Sequence, residues 1–416
     1  MERVLALFEA ISAIPHCSGK TAALQAYIER FTREKGYECM VDQAGNILAR
    51  KGNPDVCLQS HYDMVCIGDY ENLRLVQDGN ILRAERSTLG ADNGIGVAMM
   101  LALMEEGHEI ECLFTNDEEI GLVGAKALDV ELSSRYLLNL DSEEEGRVYI
   151  GCAGGFDLAV RIPLKRVDPD GPVCRVKTKD YPGGHSGIQI DKNIPNALKD
   201  ILFYLEENKL PLYHLHGGER HNSIPVHAYA LTDSLEGKEA PRNLEFDQMD
   251  RVEALYDCTE LSRLLRAFPT GVRSWNDTYM IPHDSINLAK VRIEQGIAIV
   301  EISARSMDNE SLHRLERETL AFFHGYEVEV KDGYPAWAPE MSDFSKRVMA
   351  IYEKASGACE VGVIHAGLEC AVIKDRFPHL DAASMGPNIH APHTDREHTE
   401  LDSVGRVFAI VKKVIA

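Results

Sequence analysis

The chain has 416 residues, too many for one ordinary hydrophobic core, so two or three domains are expected. Hydrophobic residues make up 44% and charged residues 26%, which excludes a disordered chain. With 44 basic and 66 acidic residues the formal charge is −22, and no basic tract offsets it, so neither nucleic acid nor an anionic membrane is an expected partner.

The N-terminal stretch MERVLALFEAISAIPHCSGKT carries apolar residues at Val4, Leu5, Phe8 and Ile11 with charges between them, an amphipathic helix rather than a signal peptide. No window approaches a membrane span, and the expected compartment is the cytoplasm. From residue 38 to about 151, short apolar runs alternate with helical stretches. The runs are 47–50, 56–60, 110–115, 136–141 and 148–154; the helical stretches are 21–34, 94–106 and 121–128. This alternation predicts an α/β layer with a mixed, mostly parallel sheet and helices on both faces. The segment IGVAMMLALM is apolar nearly all round, so its helix is expected to be buried.

The texture changes after Gly154-Gly155. Alternating strands, the turn PGGHSG, a helix from about 195 to 207, further strands, a charged helical stretch near 249–267, paired strands, a helix at 310–324 and the strand YEVEVK follow. This region reads as a separate α+β unit. The first texture resumes with a helix from Ser342 to about Ser356. The expected organisation is a catalytic domain in two parts, 1–155 and 336–416, split by an inserted lid domain at 156–335. Ten cysteines form no C-x-x-C pair, which excludes a zinc ribbon or thioredoxin motif, and Cys57 and Cys112 read as small buried hydrophobes.

The chemistry lies in where polar residues end apolar runs. VCLQS runs into His61 and Asp63, IECLFT into Asp117, Glu118 and Glu119, and YLLNL into Asp141. The carboxyl ends of parallel strands form the functional rim of an open sheet, so the three runs deliver imidazole and carboxylates to one edge. Asp92 joins them at the start of the buried helix, and HAPHTDREH supplies His390, His393 and His398. Taken singly, Asp92 is an N-cap, Asp141 a turn former, His61 a satisfied core histidine and Glu118-Glu119 a solvated loop. Together, five anionic groups with no nearby Lys or Arg require compensation, and divalent cations are the natural one. Histidines and carboxylates without cysteine suit zinc, manganese or cobalt. One shared aspartate would hold two cations ~3.5–4 Å apart, and of Glu118-Glu119 one ligates while the other stays free as the base.

LQSHYDMV, STLGADNGIG, DEEIGLVGA, NLDSEEEGRVYIGCAGG, GGHSG, VIHAGLEC and SMGPNIHAPHTDRE occur in this order. They closely resemble the aminoacyl-histidine dipeptidase (peptidase D) branch of the co-catalytic zinc aminoacylase/carboxypeptidase family. The resemblance implies a metallodipeptidase with two divalent metal ions, zinc before cobalt or manganese. Asp92 would bridge them, with His61 and Asp141 at one site and Glu119 and His393 at the other. It also implies Glu118 as general base, Asp63 as the carboxylate orienting His61, and a cis peptide after Asp92. His185 would polarise the scissile carbonyl, often from a partner subunit, and Asn222, Arg305 and Gly367 would contact a small peptide substrate, Arg305 at its free carboxylate. His390 and His398 match no ligand position. The branch's habit is a homodimer through the lid. The chain is shorter than larger members of the branch, and INLA and TDRE stand where SNLG-like and SPDE-like segments occur. Competing functions are an N-acyl-amino-acid deacylase on the same metals, a catalytically silent peptide-binding protein, and a non-catalytic cation-binding face.

Overall fold

The computed structural model describes residues 1–169, 171–249 and 254–416. It contains two compact units. One comprises residues 1–152, 337–363 and 368–416, the other residues 153–336 and 364–367. The short stretch 364–367, from VIHAGLEC, therefore goes with the inserted segment rather than with the C-terminal part.

The first unit is built on an eight-stranded sheet. Its order is Glu38–Val41, Ile47–Arg50, Glu111–Thr115, Val56–His61, Tyr136–Asn139, Asp381–Ser384, Arg147–Cys152 and Glu360–Ile364. The strands from Glu111–Thr115 to Asp381–Ser384 run parallel, and antiparallel pairs flank them. The result is a mixed α/β sheet with a parallel centre. Every residue of Val56–His61 and of Glu111–Thr115 is buried, which requires cover on both faces and explains why these strands read as unbroken apolar runs.

The helix Ala91–Glu106 leads into the strand Glu111–Thr115 and is buried from Asn93 to Met104, as its uniform apolarity predicts. Gly96 makes its close approach possible, because a Cβ there would lie 2.3 Å from Ser60 Oγ. The stretch 121–128 yields only a short helix, Val123–Lys126. Cys17 is disulfide-bonded to Cys66, and Cys57 and Cys112 are buried free thiols.

A four-stranded sheet that the sequence reading does not anticipate pairs Ile389–His390, His398–Glu400, Ile81–Ala84 and Leu75–Asp78 in that order. It anchors the chain on both sides of His393.

The second unit is a nine-stranded antiparallel sheet whose centre is the hairpin Ile281–Glu294 and Ile297–Ser306. Leu198, Ile201 and Leu205 from one helix, Leu261 and Leu265 from a second, and Leu312 and Leu315 from a third share one core with Leu158, Val160, Val300 and Ile302 of the sheet. Three helices on one face of an antiparallel sheet make an α+β unit. Of the stretch expected to be helical near 249–267, residues 250–253 lie outside the described residues; Leu255–Asp257 is a strand and only Thr259–Ala267 a helix. Among the described residues no helix is long and apolar enough to cross a membrane.

Candidate metal centre

In the first unit the strand ends bring their polar residues to one place. His61 closes its strand, and its Nε2 lies 3.1 Å from Asp92 Oδ1 and 3.3 Å from Asp141 Oδ1. The other oxygen of Asp92, Oδ2, lies 3.0 Å from His393 Nε2, and Glu119 Oε1 is 2.9 Å from the same nitrogen. Two ligand groups result, His61–Asp92–Asp141 and Asp92–Glu119–His393, each with its donor atoms within 4.8 Å of one another. Glu118 falls in a third group with His61 and Glu119. The residues at 61, 92, 118, 119, 141 and 393 are thus gathered across more than 300 positions of sequence.

The backbone is shaped for this. The Asp92–Asn93 peptide is cis, and both residues depart from helical dihedrals at the start of their helix. His393 sits in the left-handed region at φ 57°, uncommon for a residue with a side chain. His390 and His398 stay apart from the ligands: their rings stack 4.8 Å apart, and His390 Nε2 lies 2.8 Å from Glu400.

Three further carboxylates fix the ligand-bearing segments. The Asp63 carboxylate accepts hydrogen bonds from the backbone N–H of Glu118 (3.0 Å) and Glu119 (3.3 Å) and from the Ser18 hydroxyl (2.7 Å). His61 Nδ1 lies 3.0 Å from the backbone carbonyl of Asp63 and 3.4 Å from its carboxylate, so the main chain is the nearer partner of that ring nitrogen. Glu397 accepts from the N–H groups of Leu89 and Gly90 through Oε2, and of Ala91 and Asp92 through Oε1. Glu369, fully buried, accepts from Gln59 Nε2 and Thr115 Oγ1, and Gln59 in turn accepts from Asn139 Nδ2. Gln59 and Asn139 stand two residues before His61 and Asp141.

So much negative charge in a buried place draws in positive charge. Burial disfavours protonated imidazole, yet Asp141, Asp63 and Asp92 raise His61 well above its usual value. Asp92 and Glu119 likewise overcome burial and raise His393 to about 11. Burial, with Asp92, pushes Glu119 up to about 7, and burial pushes Asp141 to about 6. Burial, then Glu119, Asp141 and Glu369, raise Glu118 well above the carboxylate range. Asp92, held by both histidines, is lowered despite its burial. Protons on the imidazoles occupy the place a dication would take. The donor set fits such an ion: two imidazoles and carboxylate oxygens, with no thiolate.

Comparison with known proteins supplies the class of chemistry. Residues 57–416 match the peptidase family M20/M25/M40. The chain belongs to this family. It is 31% identical to the cytosol non-specific dipeptidase of Escherichia coli K12, with 98% of this chain and 96% of that protein covered. Its fold matches the crystal structure of the aminoacylhistidine dipeptidase of Vibrio alginolyticus with a TM-score of 0.80 and 29% identity, over 99% and 96% of the two chains. The aminopeptidase PepT of Bacillus cereus shares the fold alone, at TM-score 0.62 and 17% identity over 100% and 97%.

As a member of the M20/M25/M40 peptidases the protein is a peptide-bond hydrolase, and its ligand groups are those of a metallopeptidase. The sequence reading overlooked Glu397 and Glu369. Glu397 lies in a charged segment with no apolar periodicity, and its partners are more than 300 residues away. Glu369 offered a better clue, being an acid inside the otherwise apolar run GLECAVI.

In the second unit, the remaining sequence-predicted residues form one cluster. His185 Nδ1 accepts from the N–H groups of Gly187 (3.0 Å) and Ile188 (3.2 Å), which places the proton of a neutral ring on Nε2. The N–H of Ser186 donates to the Asn222 carbonyl. Arg305 Nη1 donates to the Tyr334 hydroxyl at 2.6 Å, and a Cβ on Gly367 would lie 2.8 Å from the Tyr334 ring.

Proposed function

We propose that the protein is a dipeptidase working with two divalent cations, zinc before cobalt or manganese, with Glu118 as general base. The observation that supports this most is the position of Asp92, whose two carboxylate oxygens face different imidazoles at 3.1 and 3.0 Å and so belong to both ligand groups. The similarity to two proteins named as dipeptidases supports the substrate class.

His61, Asp92 and Asp141 would hold one cation, and Asp92, Glu119 and His393 the other. Such a pair supplies Lewis-acid polarisation of a carbonyl and acidifies water. Glu118 takes the proton of the attacking water and returns it to the departing amine; its burial beside Glu119 and Asp141 makes it a strong base. Asp63, by holding the Glu118 and Glu119 amides, keeps that base in place. His185, with its proton on Nε2, donates to the developing oxyanion. Arg305 binds the peptide's free carboxylate, a task suited to a planar guanidinium, and Asn222 and Gly367 contact the substrate. Residues 156–335 act as lid and dimerisation domain of a cytoplasmic homodimer.

The test is a panel of unblocked dipeptides, Xaa-His among them, set against N-acetylated amino acids, with zinc, manganese or cobalt supplied. Hydrolysis of the dipeptides and loss of activity on chelation are expected. Preference for N-acetylated amino acids would identify a deacylase, and inertness towards the whole panel a binding protein. Light scattering on the purified protein reads the dimer.

A further inference from the structure

Among the described residues of the second unit, five buried polar side-chain atoms lack a hydrogen-bond partner; besides Tyr204 Oη and Arg266 Nε they are Arg305 Nε, His365 Nδ1 and Ser186 Oγ. Arg305, His365 and Ser186 are 8%, 3% and 3% exposed, so water does not readily satisfy them. Arg305 lies in the sheet, and His365 and the Ser186–Gly187 turn pack against its strand pair. Ser285 and Arg305 are direct cross-strand partners, which puts their side chains side by side on one face. Ser285 Oγ lies 2.8 Å from His365 Nε2, so the imidazole is fastened next to the guanidinium. Gly187, which follows Ser186, closes the group: a Cβ there would meet the His365 carbonyl at 2.5 Å and Arg305 Nε at 3.1 Å.

We propose that His365 and Ser186 are specificity-determining residues that, together with Arg305, bind the terminal carboxylate of the peptide and so restrict the enzyme to substrates that end there. This rests on the dipeptidase reading and adds to it the groups that enforce the free carboxyl end. The polarity of the cluster supports it. The Ser285–His365 contact allows either partner to donate; in the tautomer that a bound carboxylate selects, the Ser285 hydroxyl donates to Nε2 and a neutral His365 carries its hydrogen on Nδ1 as a donor. Burial and the Arg305 charge keep that ring neutral, lowering it to about 3; Asp284 opposes the shift, and His283 and His185 add to it. Arg305 Nε–H and the Ser186 hydroxyl are donors as well. In that tautomer all three unpartnered buried groups are donors, and a carboxylate, with about four lone-pair sites, is the acceptor that suits them. A carboxamide would set its own N–H₂ against these donors. Sites built to hydrogen-bond one end group reject analogues by on the order of 10⁴-fold, far more than apolar pockets achieve.

The experiment compares a dipeptide with its C-terminal amide on the metal-loaded wild type, His365→Leu and Ser186→Ala. The wild type is expected to favour the free acid by on the order of 10²-fold or more in kcat/KM. His365→Leu should lose ~10–100-fold on the acid through KM, with the amide rate little changed, so that the preference collapses; Ser186→Ala should lose ~5–10-fold in the same way. An unchanged acid-to-amide ratio in both variants overturns the proposal, as does an equal loss on both substrates. Because His365→Leu could disturb folding, a second measurement uses wild-type protein labelled with ¹⁵N-histidine and titrated with a free amino acid, its amide, and inorganic phosphate. A shift of the His365 Nδ1 resonance with the amino acid alone supports the proposal. An equal shift with phosphate, marking an unspecific anion site, or no shift at all overturns it. Should the wild type hydrolyse neither substrate, the dipeptidase reading falls, and the titration still decides whether these residues bind a carboxylate.

Discussion

Replacing Glu397 by glutamine should be among the most damaging isosteric changes available to this protein. Its carboxylate is 3% exposed and takes four backbone N–H groups at 2.8–3.2 Å, from Leu89, Gly90, Ala91 and Asp92, where the helix Ala91–Glu106 begins. These donors have no partner inside the helix, and a negative charge there also opposes the positive end of the helix dipole. Glutamine keeps one oxygen and turns an N–H₂ toward the other two amides. Two hydrogen bonds to a charged acceptor are lost, each ~1.5–3 kcal/mol, so the change should cost ~3–6 kcal/mol. For a unit of this size that is a fall in Tm of about 10 °C or more. Because Asp92 is one of the four, its carboxylate should also lose its aim at His61 and His393, and metal affinity should drop with stability. Differential scanning calorimetry with and without chelator, paired with metal titration, measures both. A variant within ~1 kcal/mol of wild type and with unchanged metal affinity would refute the reasoning.

Glu118→Gln should retain bound metal by elemental analysis and lose ~10²–10⁴-fold in turnover; a near wild-type rate would remove Glu118 from the role of base. Asp92→Ala should lose both ions together, because it belongs to both ligand groups, and one tightly held ion remaining would disprove the bridge. The His365 imidazole, lowered to about 3 by burial and Arg305, stays neutral in the fold while the unfolded chain takes up a proton near ~6.5. Stability should therefore fall as pH drops from ~6.5 towards 3, by up to ~1.4 kcal/mol per pH unit from this group. Urea unfolding at pH 7, 6, 5 and 4 should show a shallower slope in His365→Gln, and identical slopes would contradict the assignment.

The centre of the fold is readable from sequence because burial on both faces leaves a plain mark. Val56–His61 and Glu111–Thr115 are wholly buried, so their apolar runs stop only where the chain reaches the functional rim, and the polar residue at the stop is the one that matters. The helix Ala91–Glu106 is legible for the same reason. The sheet that holds His393 leaves no such mark. Its strands Ile389–His390 and His398–Glu400 are two and three residues long, too short for a period-two pattern, and they pair with Ile81–Ala84 from the other end of the chain. Glu38–Val41 is partly exposed and mixed in polarity, and Leu255–Asp257 sits where charge density suggested a helix. Glu397 and Glu369 were missed for a different reason: Glu397 holds backbone amides, which have no sequence signature, and Glu369 holds side chains of strands more than 250 residues away.

Those supports sharpen what metal loading must do. Asp63, Glu369 and Glu397 are acids because strand ends and helix starts present N–H and O–H donors, and a carboxylate is their strongest acceptor. Each one used in this way adds negative charge around Asp92, Glu118, Glu119 and Asp141, against only two imidazoles. The metal-free centre therefore retains protons near neutrality: His61 is raised well above its usual value, His393 is at about 11 and Glu119 at about 7. Ligation requires neutral imidazoles and ionised carboxylates, so the two cations of the proposed reading would have to expel both imidazole protons and part of that on Glu119. Isothermal titration at pH 7 in buffers of different ionisation enthalpy should find about two or more protons released on filling both sites. Apparent affinity should accordingly climb with pH, by on the order of 10²-fold per unit for the pair. Release of fewer than one proton would mean that His61 and His393 are already neutral, and that the acidic groups around them are not as tightly gathered as the geometry requires.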